Sequence, residues 1–323
     1  MKAIVQHTYG STDVLELGDI DRPEMADDEV LVRVHAAGVD RGVWHVMAGL
    51  PYPLRLAGYG LRTPKNPVPG TDMAGVVEVV GKNVTRFQPG DEVFGIGKGT
   101  FAEYTRVLEN KLAPKPANLT FEQAAVVAVS GSTALQGLRD HGQVQPGQKV
   151  LIIGASGGVG TYAVQLAKAF GAEVTAVCST TKVDLVRSLG ADHVIDYMRE
   201  DFAAGEQRYD VILDIGGNAS LSRLRSVLSP TGTLVIAGGE TGGRWLGGSD
   251  RQIRAVLLSR FVGQTLRTFI NSENHEDLIV LAGLIESGKV APVIDRRYPL
   301  AEAPKAIRYL LEGHARGKVV ITI

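Results

Sequence analysis

The stretch Gly154-Ala155-Ser156-Gly157-Gly158-Val159-Gly160 is the strongest chemical signal in the sequence. It follows an apolar run, residues 150–153, and opens into residues 158–170, where Val159, Ala163, Leu166, Ala167 and Phe170 fall on one helical face. A strand, a glycine turn and a helix in that order suit a dinucleotide. Glycines permit the tight turn, let backbone approach a pyrophosphate and let the helix pack against the strand, while the helix N-terminus faces the phosphates. A tight turn with no ligand would need the same glycines; the repeated strand and helix units around them favour the dinucleotide.

The next strand, residues 173–178, bears on which dinucleotide. Sites for NAD place Asp or Glu at its end, about 20 residues beyond the glycines. Here that end is Cys178, followed by Ser179, Thr180, Thr181 and Lys182. With no carboxylate at that place, and with hydroxyls and an ammonium available for a 2′-phosphate, the pattern predicts NADP(H). The same residues would also cap the helix that follows.

Other chemistries are poorly supplied. Cys178 is the one cysteine, which excludes an intrachain disulfide and every multi-cysteine zinc site. The seven histidines include no i, i+4 pair that a helix would bring to one metal. None of the nine tyrosines has Lys four residues later, the spacing of a Tyr-Lys proton-abstracting pair. A base assembled from separate segments stays open, but simple alcohol oxidation is the less supported direction.

The elements that must hold these residues fall into two textures. Residues 2–8, 29–35, 75–80 and 101–107 read as short strands punctuated by Gly-Asp, Pro-Gly and Gly-Lys turns, a β-rich domain. Residues 51–69, rich in Pro and Gly and without periodicity, are either a lid or a surface loop. After Thr120, an N-cap, strands at 193–196, 211–214 and 233–237 alternate with helices near 182–189 and from 219, predicting a doubly wound parallel sheet. Helices at 274–286 and 301–312 and a strand at 318–323 are too little for a domain and should return to the first.

Composition limits the partners. With 44% hydrophobic and 21% charged residues the chain is globular, and 39 glycines in 323 residues exceed the roughly 7% of average proteins, implying many tight turns. Thirty-four Lys and Arg against 35 Asp and Glu give a net charge of −1, no field for nucleic acid or an anionic membrane. No signal-peptide core and no apolar run approaching a span of ~20 residues is present, so no membrane insertion is expected and the cytoplasm is the expected compartment.

The residues 147–151, the run Ala155 to Gly160, Gln165 and Lys168 resemble the signature of the quinone oxidoreductase and zeta-crystallin group of medium-chain dehydrogenases/reductases. The opening Met-Lys-Ala-Ile-Val, Pro69-Gly70-Thr71-Asp72, residues 89–93 and residues 313–320 extend the resemblance over the whole chain. It implies a GroES-like β-rich catalytic domain, residues 1–119 and 271–323, a Rossmann domain, residues 120–270, and an active site in the cleft between them.

The resemblance also implies site residues. Zinc-dependent relatives carry Cys and a Gly-His-Glu motif where this chain has Asp40 and Thr71-Asp72, so zinc ligation of the family type is not expected. Asp40 stands where many relatives have an Asn near the nicotinamide, and Tyr52 aligns with a pocket tyrosine that donates a proton or walls the pocket. Gly154, Ser156, Gly157, Gly158, Val159 and Gly160 would hold the pyrophosphate. Ser179, Thr180, Lys182 and Tyr197 would face the adenosine half, and Thr133, Gly238 and Gly239 the nicotinamide half, with Lys318 near the cofactor.

The function implied is zinc-independent, NADPH-dependent reduction of a quinone, with enone or alkenal reduction as the alternative. Alcohol dehydrogenation and a crystallin-like structural or RNA-binding role are the remoter readings. Residues 261–269 alternate as a strand at the sheet's edge, and the family commonly joins two such edges, so a homodimer pairing around Thr265 is expected.

Overall fold

A computed structural model of the chain describes residues 1–239 and 243–323. These form two compact units, one of Met1–Ser132, Ser272–Gly288 and Pro292–Ile323, the other of Thr133–Asn271 and Lys289–Ala291.

In the first unit, β1 (Lys2–Val5) and β2 (Glu16–Asp19) pair antiparallel. There follow β3 (Glu29–Val39), α1 (Arg41–Ala48), β4 (Asp72–Val80), β5 (Glu92–Ile96), β6 (Tyr104–Leu108), β7 (Leu112–Pro114), α2 (Phe121–Ala124) and α3 (Ala128–Gln136), whose residues from Thr133 onward count to the second unit. Strand β3 is long enough to serve two partners on one side: its first half pairs with β6, its second with the C-terminal strand. Val30, Val32 and Val34 alternate inward from it against Met73, Val77, Val93 and Leu112. Each such fully buried side chain contributes about 1.5–3 kcal/mol.

The second unit runs β8 (Lys149–Ile153), α4 (Gly158–Ala169), β9 (Glu173–Cys178), α5 (Val183–Ser188), β10 (His193–Asp196), β11 (Tyr209–Asp214), α6 (Leu221–Ser226), β12 (Leu228–Ile236), α7 (Gly243–Leu246), α8 (Ser249–Leu258) and β13 (Thr265–Thr268). All six strands are parallel, in the order β10-β9-β8-β11-β12-β13. Strand order reverses between β8 and β11, the place where doubly wound sheets open a crevice at their carboxyl ends. Leu151, Val177, Ile212, Leu234 and Leu266 form its core with Leu224 and Ala255 of the covering helices.

The chain then returns to the first unit through α9 (His275–Glu286), β14 (Ile294–Pro299), α10 (Ala303–Leu311) and β15 (Lys318–Thr322). Strand β15 lies antiparallel on β3, from Val319 opposite Val39 to Thr322 opposite Ala36. The α/β class with a GroES-like unit and a parallel-sheet unit is therefore as the sequence suggests. The division falls at Ser132/Thr133 rather than at 119/120. Residues 120–132 belong to the β-rich unit because Val129 N–H donates to Asp72 Oδ1 at 2.7 Å and Ala125 O packs where a Cβ on Gly38 would stand. The predicted strand at 261–269 shortens to β13, since Ser259–Phe261 forms a 3-10 turn and Phe261 is exposed.

Candidate active site

The glycine turn lies at the carboxyl end of β8. Gly154 has φ +88°, and a Cβ there would meet Gly216 N at 3.0 Å. Gly160, inside the first turn of α4, leaves no room for a side chain: a Cβ would lie 2.2 Å from Gly154 O. Gly157 differs. Its φ of −83° is open to any residue, and its nearest neighbour in Cβ position is Gly154 O at 3.6 Å. As N-cap of α4 it supplies no side-chain acceptor for the first helical N–H groups. Those donors and the cleared space beside Gly157 fit a pyrophosphate. Ala155 N–H donates to Val177 O at 3.1 Å and Gly216 N–H to Ile153 O at 3.1 Å, so both neighbouring strands hold the turn.

At the end of β9, Cys178 is buried, and burial pushes its thiol up to about 11, which makes it a packing residue. Tyr197 N–H donates to Cys178 O at 3.1 Å and Lys182 N–H to Ser179 O at 2.9 Å, so Ser179 to Lys182 and the exposed Tyr197 border one edge. A carboxylate to which the sequence pattern does not point also stands here. Asp196, opposite Cys178 at the end of β10, accepts hydrogen bonds from the Thr180 hydroxyl and from Met198 N–H, and these hold its carboxyl below the usual range. It was hidden because it ends the strand after the one that normally carries the diagnostic acid. Thr180 is thereby committed to Asp196.

Beyond the switch point, the loops after β11 and β12 touch backbone to backbone. A Cβ on Gly217 would meet Gly239 N at 2.8 Å, and one on Gly238 would meet Ile215 O at 2.0 Å. Below them Asp214 is fully buried, accepting Gly217 N–H at 3.1 Å and pairing with Arg251 at 2.5 Å. Burial raises its carboxyl and Arg251 opposes the shift. The only signal of this pair in the sequence is an acid ending an apolar strand; its partner stands 37 residues away. Thr133 lies in α3 as the first residue of this unit.

In the first unit, Asp40 is the N-cap of α1. Its Oδ1 accepts Val43 N–H at 3.2 Å and its Oδ2 accepts the Thr71 hydroxyl at 3.1 Å. The two positions that the resemblance matches to zinc ligands are thus a carboxylate and a hydroxyl bonded to each other, without the nitrogen or sulfur typical of catalytic zinc. Tyr52 follows the other end of α1, whose eight residues span about 12 Å. Gly49 ends α1 with φ +63°, and Arg55 Nε donates to Gly49 O at 2.8 Å while its guanidinium sits 5.0 Å from the Tyr52 ring and 4.3 Å from Tyr9. Tyr9 Oη donates to Tyr59 O and Gly60 O, so residues 51–60 are tied down although Leu56 is exposed.

Lys318, expected at the cofactor, is 2% exposed and turned into the first unit. Its ammonium donates to Asp72 Oδ2 and Ser130 Oγ, each at 3.0 Å. It balances the charge of Asp72, whose carboxyl burial lifts to about 6 against the pull of Lys318, with Asp40 adding to the rise.

A glycine turn at the switch point of a parallel sheet, carried in one chain with a GroES-like unit, defines a dinucleotide-type oxidoreductase architecture. Comparison with known proteins agrees. Residues 26–117 match the alcohol dehydrogenase GroES-like domain family and residues 189–321 the zinc-binding dehydrogenase family. A 2-methylene-furan-3-one reductase of Solanum lycopersicum is 36% identical over 337 residues, covering 99% of this chain and 79% of that protein. The quinone oxidoreductase from Coxiella burnetii aligns with a TM-score of 0.87 at 29% identity, over 100% of this chain and 99% of that one. The Escherichia coli quinone oxidoreductase complexed with NADPH gives 0.85 at 26% identity over the whole of both chains. The chain belongs to the medium-chain dehydrogenase/reductase superfamily and is an oxidoreductase related to its quinone oxidoreductases. Among the described residues no helix is long and apolar enough to cross a membrane.

Proposed function

We propose that the chain is a cytoplasmic, NADPH-dependent reductase that delivers hydride to a quinone without a catalytic metal. The observation that carries this reading is the cleared space at Gly157 before the uncapped N-terminus of α4. When bound, the reduced nicotinamide supplies the hydride. Gly154, Ser156, Gly157, Gly158, Val159 and Gly160 hold the pyrophosphate, Thr133, Gly238 and Gly239 the nicotinamide side, and Ser179, Thr180, Lys182 and Tyr197 the adenosine side. Because Thr180 is committed to Asp196, Lys182 carries the preference for a 2′-phosphate. Asp40, with both oxygens engaged, orients rather than transfers protons, and Tyr52 walls the acceptor's pocket.

The likeness to a protein named 2-methylene-furan-3-one reductase supports a second reading, reduction of a conjugated enone by the same hydride chemistry. NADPH oxidation measured across quinones and enones separates the two. Turnover on quinones at least about tenfold above enones, a transition-state preference of about 1.4 kcal/mol, is expected; the reverse order would replace the first reading with the second.

The working form is a homodimer through the β13 edge of the parallel sheet. Trp245, Leu246, Leu257, Phe261 and Ile270 leave an apolar surface on α7, α8 and the flanks of β13, which supports that reading. Ser259 Oγ already accepts Leu266 N–H at 2.9 Å, which argues against a ladder centred on Thr265 and favours contact through the flanking apolar residues.

A further inference from the structure

Arg251, in the first turn of α8, reaches three acceptors that belong to two different loops. Its Nη2 donates to Asp214 Oδ2 at 2.5 Å and to Gly238 O at 3.2 Å, and its Nη1 donates to Ala219 O at 2.6 Å. Asp214 in turn accepts Gly217 N–H. The fork therefore ties residues 214–219, after β11, to Gly238, after β12. Those loops lie in the half of the parallel sheet beyond the switch point, the half that takes the second mononucleotide of a dinucleotide.

Backbone hydrogen bonds fix part of these loops: Ile215 N–H and Gly216 N–H donate to Ile153 O, and Ala237 N–H and Gly238 N–H donate to Asp214 O. Gly216, Gly217, Gly238 and Gly239 carry no side chains, and their backbones are already in van der Waals contact. Gly248, just before α8, has φ +87°, and a Cβ there would lie 1.9 Å from Gly239 O, so α8 is seated directly on the second loop. Neither packing nor those bonds can choose which way the Ala219 and Gly238 carbonyls face. A guanidinium can, because its donors are rigid, directional and charged, and Asp214 keeps it in place from a fully buried position.

We propose that Arg251, anchored by Asp214, is a positioning residue that sets the peptide orientations of the nicotinamide-side loops before cofactor binds. The inference rests on the dinucleotide reading above. Its distinguishing consequence is that the two halves of the cofactor respond differently: the Ser179 to Lys182 edge follows β9, two strands away from β11 in the sheet order, whereas the loop after β11 is the one the fork ties.

Calorimetric titration of NADPH, and separately of adenosine 2′,5′-bisphosphate, into wild type and Arg251→Met tests this. NADPH affinity should fall about tenfold or more while the bisphosphate, which contacts only the adenosine half, stays within about twofold. Arg251→Lys, which keeps the charge but loses the planar fork, should fall between them, and Asp214→Asn should reproduce the pattern if the methionine variant does not fold. Equal losses for both ligands, or unchanged NADPH affinity, would overturn the proposal while leaving the dinucleotide reading standing. Wild type that binds neither ligand would overturn both.

Discussion

At the scale of single residues the molecule separates groups that face ligand from groups that hold each other. Lys182 is proposed to face the 2′-phosphate: replacing it with Ala should weaken NADPH at least about tenfold, the low end of a hydrogen bond to a charged group, and leave NADH within about twofold. Equal losses in paired titrations would refute its part in choosing the cofactor. Lys318 and Asp72 are of the second kind. Lys318→Met leaves a buried carboxylate without its counter-charge and should cost about 3–5 kcal/mol in denaturant unfolding, with Lys318→Met/Asp72→Asn costing less than the sum of the single changes. A carboxyl lifted to about 6 binds its proton more tightly in the native chain than in the unfolded one. Asp72 therefore favours the fold below the ordinary carboxylate range, and that contribution is lost as pH rises through about 6. Stability of wild type relative to Asp72→Asn should fall across that window; a constant difference would place the carboxyl in its ordinary range.

At the scale of elements, the parts legible in the sequence are those whose requirement is local. The β8 turn needs glycines within seven residues, and those glycines stand in a row, so both the turn and the helix after it were readable. Asp72 and Lys318 are 246 residues apart, and nothing in either neighbourhood names the other. Asp196 and Arg251 were hidden for the same reason: each acts across strands that only the sheet order brings together. The turn itself offers a clean contrast. Gly160→Ala forces a Cβ to within 2.2 Å of Gly154 O and should destabilise the second unit as well as abolish cofactor binding. Gly157→Ala meets nothing closer than 3.6 Å and should leave the melting temperature almost unchanged while weakening NADPH about tenfold or more. Tight NADPH binding by Gly157→Ala would mean that the open space is not where the pyrophosphate lies.

At the scale of the whole molecule, the chain should sediment as a dimer at micromolar concentration. Ile270→Asp, a change at a 95% exposed position, should shift it toward monomer without loss of fold. An unchanged mass would remove the β13 edge from the interface, and a monomeric wild type would remove the dimer. The proposed hydride transfer from NADPH to an electron-poor acceptor can be followed with deuterium from NADPH labelled at the transferring carbon, after exhaustive chelation, with a quinone and an enone offered together. Deuterated NADPH should be consumed with a primary isotope effect, turnover should be undiminished after chelation, and the quinone should be reduced ahead of the enone. Turnover that disappears with the removal of one stoichiometric metal, and returns when that metal is restored, would contradict the proposal.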